Sequence, residues 1–399
     1  MRLPLFALMV VLLFTAGLSP LGEQQSSFGQ TPPPDLPVGN LADTDEEKPD
    51  AVPKDVTYWV SQLGDEHFLR RQKASQVLKE MGPVIIPELV AAMDTGDLEV
   101  IERSIGMIAD FALTREPSED GGAWHTLQTM ADNSVGRRGL ASRSAMKEVR
   151  DSRFQQATQV LTAAGVFLGE RNFPISASRE SMKVAVIGNE WNGDVKVLQW
   201  LKWVGNTGNV HVNGKALRGD VLRHVVKMPN LLAIAMTDGE AGVPDEVFTS
   251  LEVMTRIESL EVRYVALTEQ QAEIISQLPI RTSLNLMGTG IKKEAVENIK
   301  KKLAGLEIQY RQGGFLGVSC YPDEQVCSIS RVHENTAAFE AGLLFGDVIV
   351  GVGESEVGSF KDLQTAVNLH QAGDEVEVRF RRGGKLLKVK VRLKRLEEN

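Results

Sequence analysis

Short apolar pairs recur at a nearly fixed step along residues 183–311, and no other feature of the chain restricts its fold as much. The pairs are Val184/Val186, Val210/Val212, Ile234/Met236, Leu260/Val262, Leu284/Leu286 and Leu306/Ile308. Their first members are 26, 24, 26, 24 and 22 residues apart. Within a pair the alternation is that of a strand, and stretches of helical spacing lie between pairs, as at residues 268–278 and 292–303. A single strand–turn–helix unit cannot cover its own apolar face. It buries that face only against the next unit, so the strands must stack in one parallel sheet. Val210, Ile234, Leu260, Leu284 and Leu306 are therefore expected on adjacent parallel strands, with the helices on one side.

Two of these units, Leu260-Glu261-Val262-Arg263-Tyr264-Val265-Ala266-Leu267 and Leu284-Asn285-Leu286-Met287-Gly288-Thr289-Gly290-Ile291, resemble leucine-rich repeats. The other units lack the Asn or Cys that bonds the turn backbone in that family. The resemblance implies an α/β solenoid over residues 183–311. His211, Ala235, Glu261, Asn285 and Glu307 would then point outward from its sheet, on a face that serves either as a spacer or as the seat of a partner protein.

Residues 55–170 have a helical period instead. Leu98, Ile101, Ile105, Ile108 and Ala112 fall on one helix face, with Asp97 placed to cap its start. Phe68, Ala74, Val77, Leu78 and Met81 mark an earlier helix that Gly82-Pro83 stops. A later helix is expected over residues 153–168, with Phe154, Ala157, Val160, Leu161 and Ala164 inward. The alternation of helices and short Gly/Asp turns resembles a HEAT-type stack, an architecture of scaffolds and contact surfaces.

The last segment holds an ordered set of motifs. Gly314-Phe315-Leu316-Gly317-Val318 comes first, then Thr336-Ala337-Ala338 and Ala341-Gly342-Leu343, then Gly346-Asp347-Val348-Ile349. A helix is expected over residues 361–370 and two strands over 375–381 and 385–393. Together these resemble the bacterial-type PDZ domain found in exported serine proteases, here over residues 312–396 and without a protease. Ala337 stands where the family commonly has proline. The resemblance implies a small β-sandwich or barrel with two helices that binds a protein C-terminus or an extended peptide. Glycines let successive N–H groups near Leu316, Gly317 and Val318 converge on a carboxylate. The peptide would add a strand beside Val318-Ser319-Cys320 and meet Asp362, Ala366 and Leu369 of the helix. Phe315, Leu316, Gly317, Val318, Ser319, Asp362, Ala366 and Leu369 are thus the expected binding residues, with Leu316, Val318 and Leu369 around the last side chain. Asp362 would favour a hydroxyl or basic side chain two residues before the terminus. A few hydrogen bonds at ~1 kcal/mol each and one buried side chain at ~2 kcal/mol imply weak, roughly micromolar binding.

The two cysteines, Cys320 and Cys327, cannot form a four-ligand zinc site. If residues 322–325 make a four-residue turn, the two face each other across a hairpin. Export would let a disulfide persist there; two free thiols are the alternative.

Met1-Arg2 followed by the apolar run from Leu3 to Leu18 reads as an export signal over residues 1–19, or as an uncleaved membrane anchor. Residues 20–54, with Pro32-Pro33-Pro34 and the acids Asp43, Asp45, Glu46 and Glu47, read as a disordered Pro/acidic linker. A net charge of −9 argues against nucleic acid as a partner. No Gly-x-Ser-x-Gly, His-Glu-x-x-His or phosphate-loop motif occurs, and the six histidines are scattered. No catalytic residue, metal ligand or cofactor is assigned. The chain thus reads as an exported, periplasmic or cell-envelope multidomain adaptor. A regulatory or substrate-delivery subunit of a separate exported protease is the alternative, and a hydrolase of unrecognised fold in residues 55–311 a third reading.

Overall fold

Capping and apolar spacing set the helices of the first half. The computed structural model describes residues 55–396, apart from residues 115, 176–177, 240–241 and 322–325, so the signal and linker segments lie outside the described residues. The helices are α1 (Val56–Ser61), α2 (Phe68–Met81), α3 (Ile86–Ala92), α4 (Leu98–Leu113), α5 (Ala123–Asn133) and α6 (Gly136–Ala163). Asp97 caps α4 as expected, accepting from the N–H groups of Glu99 and Val100, and Gly82, at φ 80°, ends α2. Ile101, Ile105, Ile108 and Ala112 are buried, but Leu98 is 48% exposed and Phe68 59%. Both occupy the first residue of their helix, where the packed face has not yet formed. α6 begins 17 residues before the expected helix at Arg153. Its early turns pack on α5 through small residues, Gly139, Ser142 and Ala145, which carry no apolar period. A Cβ on Gly139 would stand 2.1 Å from the carbonyl oxygen of Ser134.

The chain then forms a seven-stranded sheet in sequence order: β1 (Phe167–Ile175), β2 (Ser178–Ile187), β3 (Asn209–Asn213), β4 (Ala233–Thr237), β5 (Ile257–Arg263), β6 (Ile280–Met287) and β7 (Glu307–Arg311). β1 and β2 are an antiparallel hairpin, and every later neighbour is parallel. Between the strands lie a 3₁₀ stretch (Val195–Trp203) and helices α7 (Gly219–Val225), α8 (Glu246–Thr249), α9 (Glu269–Ile275) and α10 (Lys293–Lys302). Thr268 and Gln271 cap α9 reciprocally, satisfying two amides of its first turn. Val210, Ile234, Leu260 and Leu284 align across β3 to β6 as expected, all fully buried. The fifth partner is Ile308, not Leu306, which precedes β7. One apolar cluster runs from Leu63 in the helices to Ile299 in α10. Helices and sheet therefore share a core, and the boundary expected between residues 170 and 183 falls inside the β1–β2 hairpin.

The face expected to be open is closed. His211, Ala235, Glu261 and Asn285 are buried, and only Glu307 of the expected set is exposed; the row ends at Gln309, which aligns with Asn285. In a flat sheet β1 would lie about 14 Å from β4, three strand spacings away. Its Cα atoms instead come within 8 Å of β4 and β5, so the hairpin curls over the face and packs Phe173 against Val184, Val186, Ala233 and Ala235. Most of the covered polar groups are paired, the exception in this row being Asn285 Oδ1. His211 Nε2 lies 2.9 Å from Thr237 Oγ1, Arg263 Nε donates to Glu261 at 3.1 Å, and the Asn285 amide donates to Glu261. Burial, with Arg263 and Arg171 adding like charge, pushes His211 down to about 4.

The C-terminal domain has its own apolar core. Its elements are β8 (Val318–Cys320), β9 (Cys327–Val332), α11 (Ala337–Glu340), β10 (Val348–Val352), β11 (Ser355–Glu356), α12 (Phe360–Val367), β12 (Glu375–Arg382) and β13 (Lys385–Arg392). The sheet order is β13-β12-β10-β9-β8, with β11 paired to β10. Asp347 explains the Gly346-Asp347 motif: fully buried, it receives two 2.7 Å hydrogen bonds from the Arg382 guanidinium and one from the Leu344 N–H. Tyr264, just past β5, joins this domain to the parallel sheet. Its hydroxyl donates to Gly313 O at 3.0 Å and accepts from Leu396 N–H at 2.7 Å, so one side chain holds both ends of the domain. It does so at φ 53°, a conformation unfavourable for a residue with a Cβ. The Arg395 guanidinium lies 5.1 Å from the ring centroid.

Candidate peptide-binding site

β8 is the edge strand of its sheet, bonded to β9 on one side through Val318↔Val332, Ser319↔Arg331 and Cys320↔Ile329. Among the described residues its other side has no strand partner, which leaves a row of backbone groups for an added strand. The loop before β8 is turned so that its carbonyls point inward. Leu316 O accepts from Ala338 N–H at 2.8 Å, and Gly317 O accepts from His333 N–H at 3.0 Å. Among the described residues the N–H groups of Leu316 and Gly317 have no backbone acceptor. Gly317 has φ 87°, and a Cβ there would lie 2.1 Å from the Thr336 Cβ. Glycine thus serves both the turn and the packing against Thr336, which caps α11.

The expected residues divide into two groups. Leu316, Gly317, Val318 and Ser319 form the loop and edge strand as anticipated. Phe315 does not join the nest, because its N–H donates to Lys394 O at 2.9 Å across the domain. The Leu316 side chain is buried in the core, Val318 is half-buried, and Leu369 stands 53% exposed beyond the end of α12. Ala366 is buried with Leu316 in one cluster. Asp362 is not a free selector of ligand side chains. Its carboxylate accepts from Ser359 Oγ at 2.8 Å and Gly358 N–H at 3.2 Å, which hold it below the usual carboxylate range. It closes the first turn of α12.

His333 was not legible as part of the site. Its Nε2 lies 2.9 Å from Ser319 Oγ, on the strand a peptide would join. Only the β8–β9 register brings them together, and no spacing rule signals it. Among the described residues no hydrogen bond joins the other ring nitrogen to a carboxylate.

The cysteines meet, but not as expected. The register shifts between Ser319 and Cys320, so Cys320 faces Ile329 and Cys327 faces Ile349 on β10. Both cysteines are buried, and their sulfurs lie 3.1 Å apart within hydrogen-bond reach. The hydrogen bond with Cys320, followed by burial, pushes the Cys327 thiol far up, which disfavours its ionising to a nucleophilic thiolate.

Residues 314–393 match the PDZ domain family. No curated protein matches the chain. Among solved structures it is similar to the HtrA3 PDZ domain bound to a phage-derived ligand, at 24% identity and TM-score 0.18 over 20% of this chain and 85% of that one. It is similar to the HtrA-type protease AlgW with decapeptide, at 20% identity and TM-score 0.21 over 27% and 36% of the two chains. An aminopeptidase N family protein from Idiomarina loihiensis aligns at 20% identity and TM-score 0.20 over 22% of this chain. The chain spans only 14% of that aminopeptidase and about a third of the protease.

Proposed function

We propose that the chain is a non-catalytic adaptor that captures the C-termini of other proteins through its PDZ domain. The free N–H groups of Leu316 and Gly317 carry this reading, because the carbonyls of both residues are tied back into the domain. A carboxylate in that loop accepts the freed amides, and the ligand backbone continues along the open side of β8. The parallel strands and their helices, read as degenerate leucine-rich-repeat-like units, and the HEAT-like helices before them serve as the scaffold. The sequential strand order and the 22–26-residue step support that part. We read the adaptor as exported, at the periplasm or envelope, a reading that the apolar N-terminal run supports.

Fluorescence anisotropy with pairs of peptides, each as free acid and as C-terminal amide, tests the capture. The free acids should bind at least about tenfold more tightly, since an amide loses a charge-assisted hydrogen-bond acceptor. Equal binding of acid and amide across the pairs rules the mechanism out.

A further inference from the structure

A second site lies far from the PDZ groove in sequence, where the helices meet the loops of the first repeats. α5 and α6 form one wall of a cleft of about 610 Å³, and residues 202–206 with Pro229 and Asn230 form the other. That volume is in the range of small-molecule sites, which favour junctions of this kind. Its apolar surface is aromatic: Trp124 and Trp203 meet edge to face with centroids 4.7 Å apart, and Phe154 lines the cleft beside them.

Two cations stand over this surface, and neither makes an ion pair among the described residues. The Arg150 guanidinium lies 5.9 Å from the Trp124 ring centroid, and no hydrogen bond or ion pair engages it among the described residues. Lys202 Nζ lies 5.5 Å from the Trp203 centroid and donates only to Pro117 O at 3.3 Å. Burial holds Lys202 below the ordinary lysine range; Asp120 opposes this, and Arg153 and Lys227 reinforce it. Asp151 is the one carboxylate among the described lining residues, and no ion pair engages it. The cleft therefore carries net positive charge beside an aromatic wall. Arg150 and Lys202 both reach solvent, so a bound anion would gain charge-assisted contacts with them that a neutral ligand would not.

We propose that this cleft binds a small organic anion with a planar apolar body, of which an aryl carboxylate is the simplest case. The planar body would lie against Trp124, Trp203 and Phe154, with the carboxylate between Arg150 and Lys202. Because the two walls belong to the helices and to the repeats, such a ligand would brace one against the other.

Calorimetric titration of the full chain with phenylacetate, and with phenylacetamide as its neutral twin, tests this. Phenylacetate should bind saturably and raise the melting temperature, and the amide should bind about tenfold more weakly or worse, the worth of one charge-assisted contact. Arg150→Gln and Lys202→Gln should each weaken phenylacetate about tenfold. Neither side chain takes part in an ion pair, so the melting temperature of the unliganded protein should hold in both variants. Absence of saturable binding, equal binding of acid and amide, or binding that persists unchanged in both variants overturns the proposal. The last outcome would place the carboxylate elsewhere, at the amides of Leu316 and Gly317 for instance.

Discussion

The parallel sheet and the PDZ domain treat exposed backbone and polar surface in opposite ways. The sheet carries a row of ionisable and amide side chains, yet it folds the β1–β2 hairpin over them and pairs most of them internally. The PDZ domain keeps β8 open at its edge and leaves two amides in the preceding loop without backbone acceptors. A buried polar row that is satisfied contributes a unique packing, whereas an unsatisfied edge is held ready for a ligand. The difference is what the proposed capture of a peptide at the small domain rests on.

The strongest way to break this comparison is to damage the support alone. Leu284→Ala removes a fully buried side chain from the middle of the sheet and should cost about 2–5 kcal/mol of stability. Peptide affinity per folded molecule should not change, because the PDZ domain has a separate core. Chemical denaturation and anisotropy on the same samples check both halves; a matching loss of affinity would mean that the two regions are not separable.

The buried row makes a second, somewhat smaller prediction. His211 is neutral in the fold, with a value near 4 against 6.5 for the free side chain. Between those values the unfolded chain takes up a proton that the fold excludes. The contribution of His211 is therefore complete above about pH 6.5 and is lost as pH falls toward 4. The total should approach about 3 kcal/mol. In His211→Gln the slope of stability against pH across this window should flatten. An unchanged slope would show that the hairpin does not seal the face.

Gly317→Ala sharpens the comparison from the other side. The positive φ and the nearness of Thr336 mean that it should cost about 1–3 kcal/mol. It should also abolish discrimination between acid and amide peptides. Retained discrimination in the folded fraction would move the carboxylate away from this loop. The smallest effect is expected of Ser319→Ala, which frees His333 Nε2 at the edge of the groove. Peptide affinity should shift by about 1 kcal/mol or less. A larger loss would make the Ser319–His333 pair a direct ligand contact.

Much of this was legible from the sequence because it rests on short-range rules. The step between Val210, Ile234, Leu260 and Leu284 gave the parallel register, since stacked units admit one alignment. Asp97, Gly82 and Gly317 marked a cap, a stop and a turn, each through the conformation of its own backbone. What escaped depends on distant partners. Gly139, Ser142 and Ala145 bury a helix face without apolar side chains, so α6 carries no period over its first half. The closed face could not be foreseen, because its cover comes from a hairpin whose start reads as the end of a helix. Phe315 is expected among the binding residues by motif alone, but Lys394, far along the chain, claims its amide. Leu306 failed by one strand period at the last unit, where the step shortens.

Tyr264 has a mechanical consequence. A ligand drawn away from β8 pulls on a domain whose first and last residues are both bonded to one hydroxyl at the end of β5. Tension is divided between Gly313 and Leu396 and enters the parallel sheet mainly through that hydroxyl, with the Arg395–Asp238 ion pair at 3.8 Å as a second tie. The covalent connection at Arg311–Gln312 bears load only after that hydroxyl has let go of Gly313. A chain held at β8 would thus pull against a coupling that gives way in stages rather than all at once.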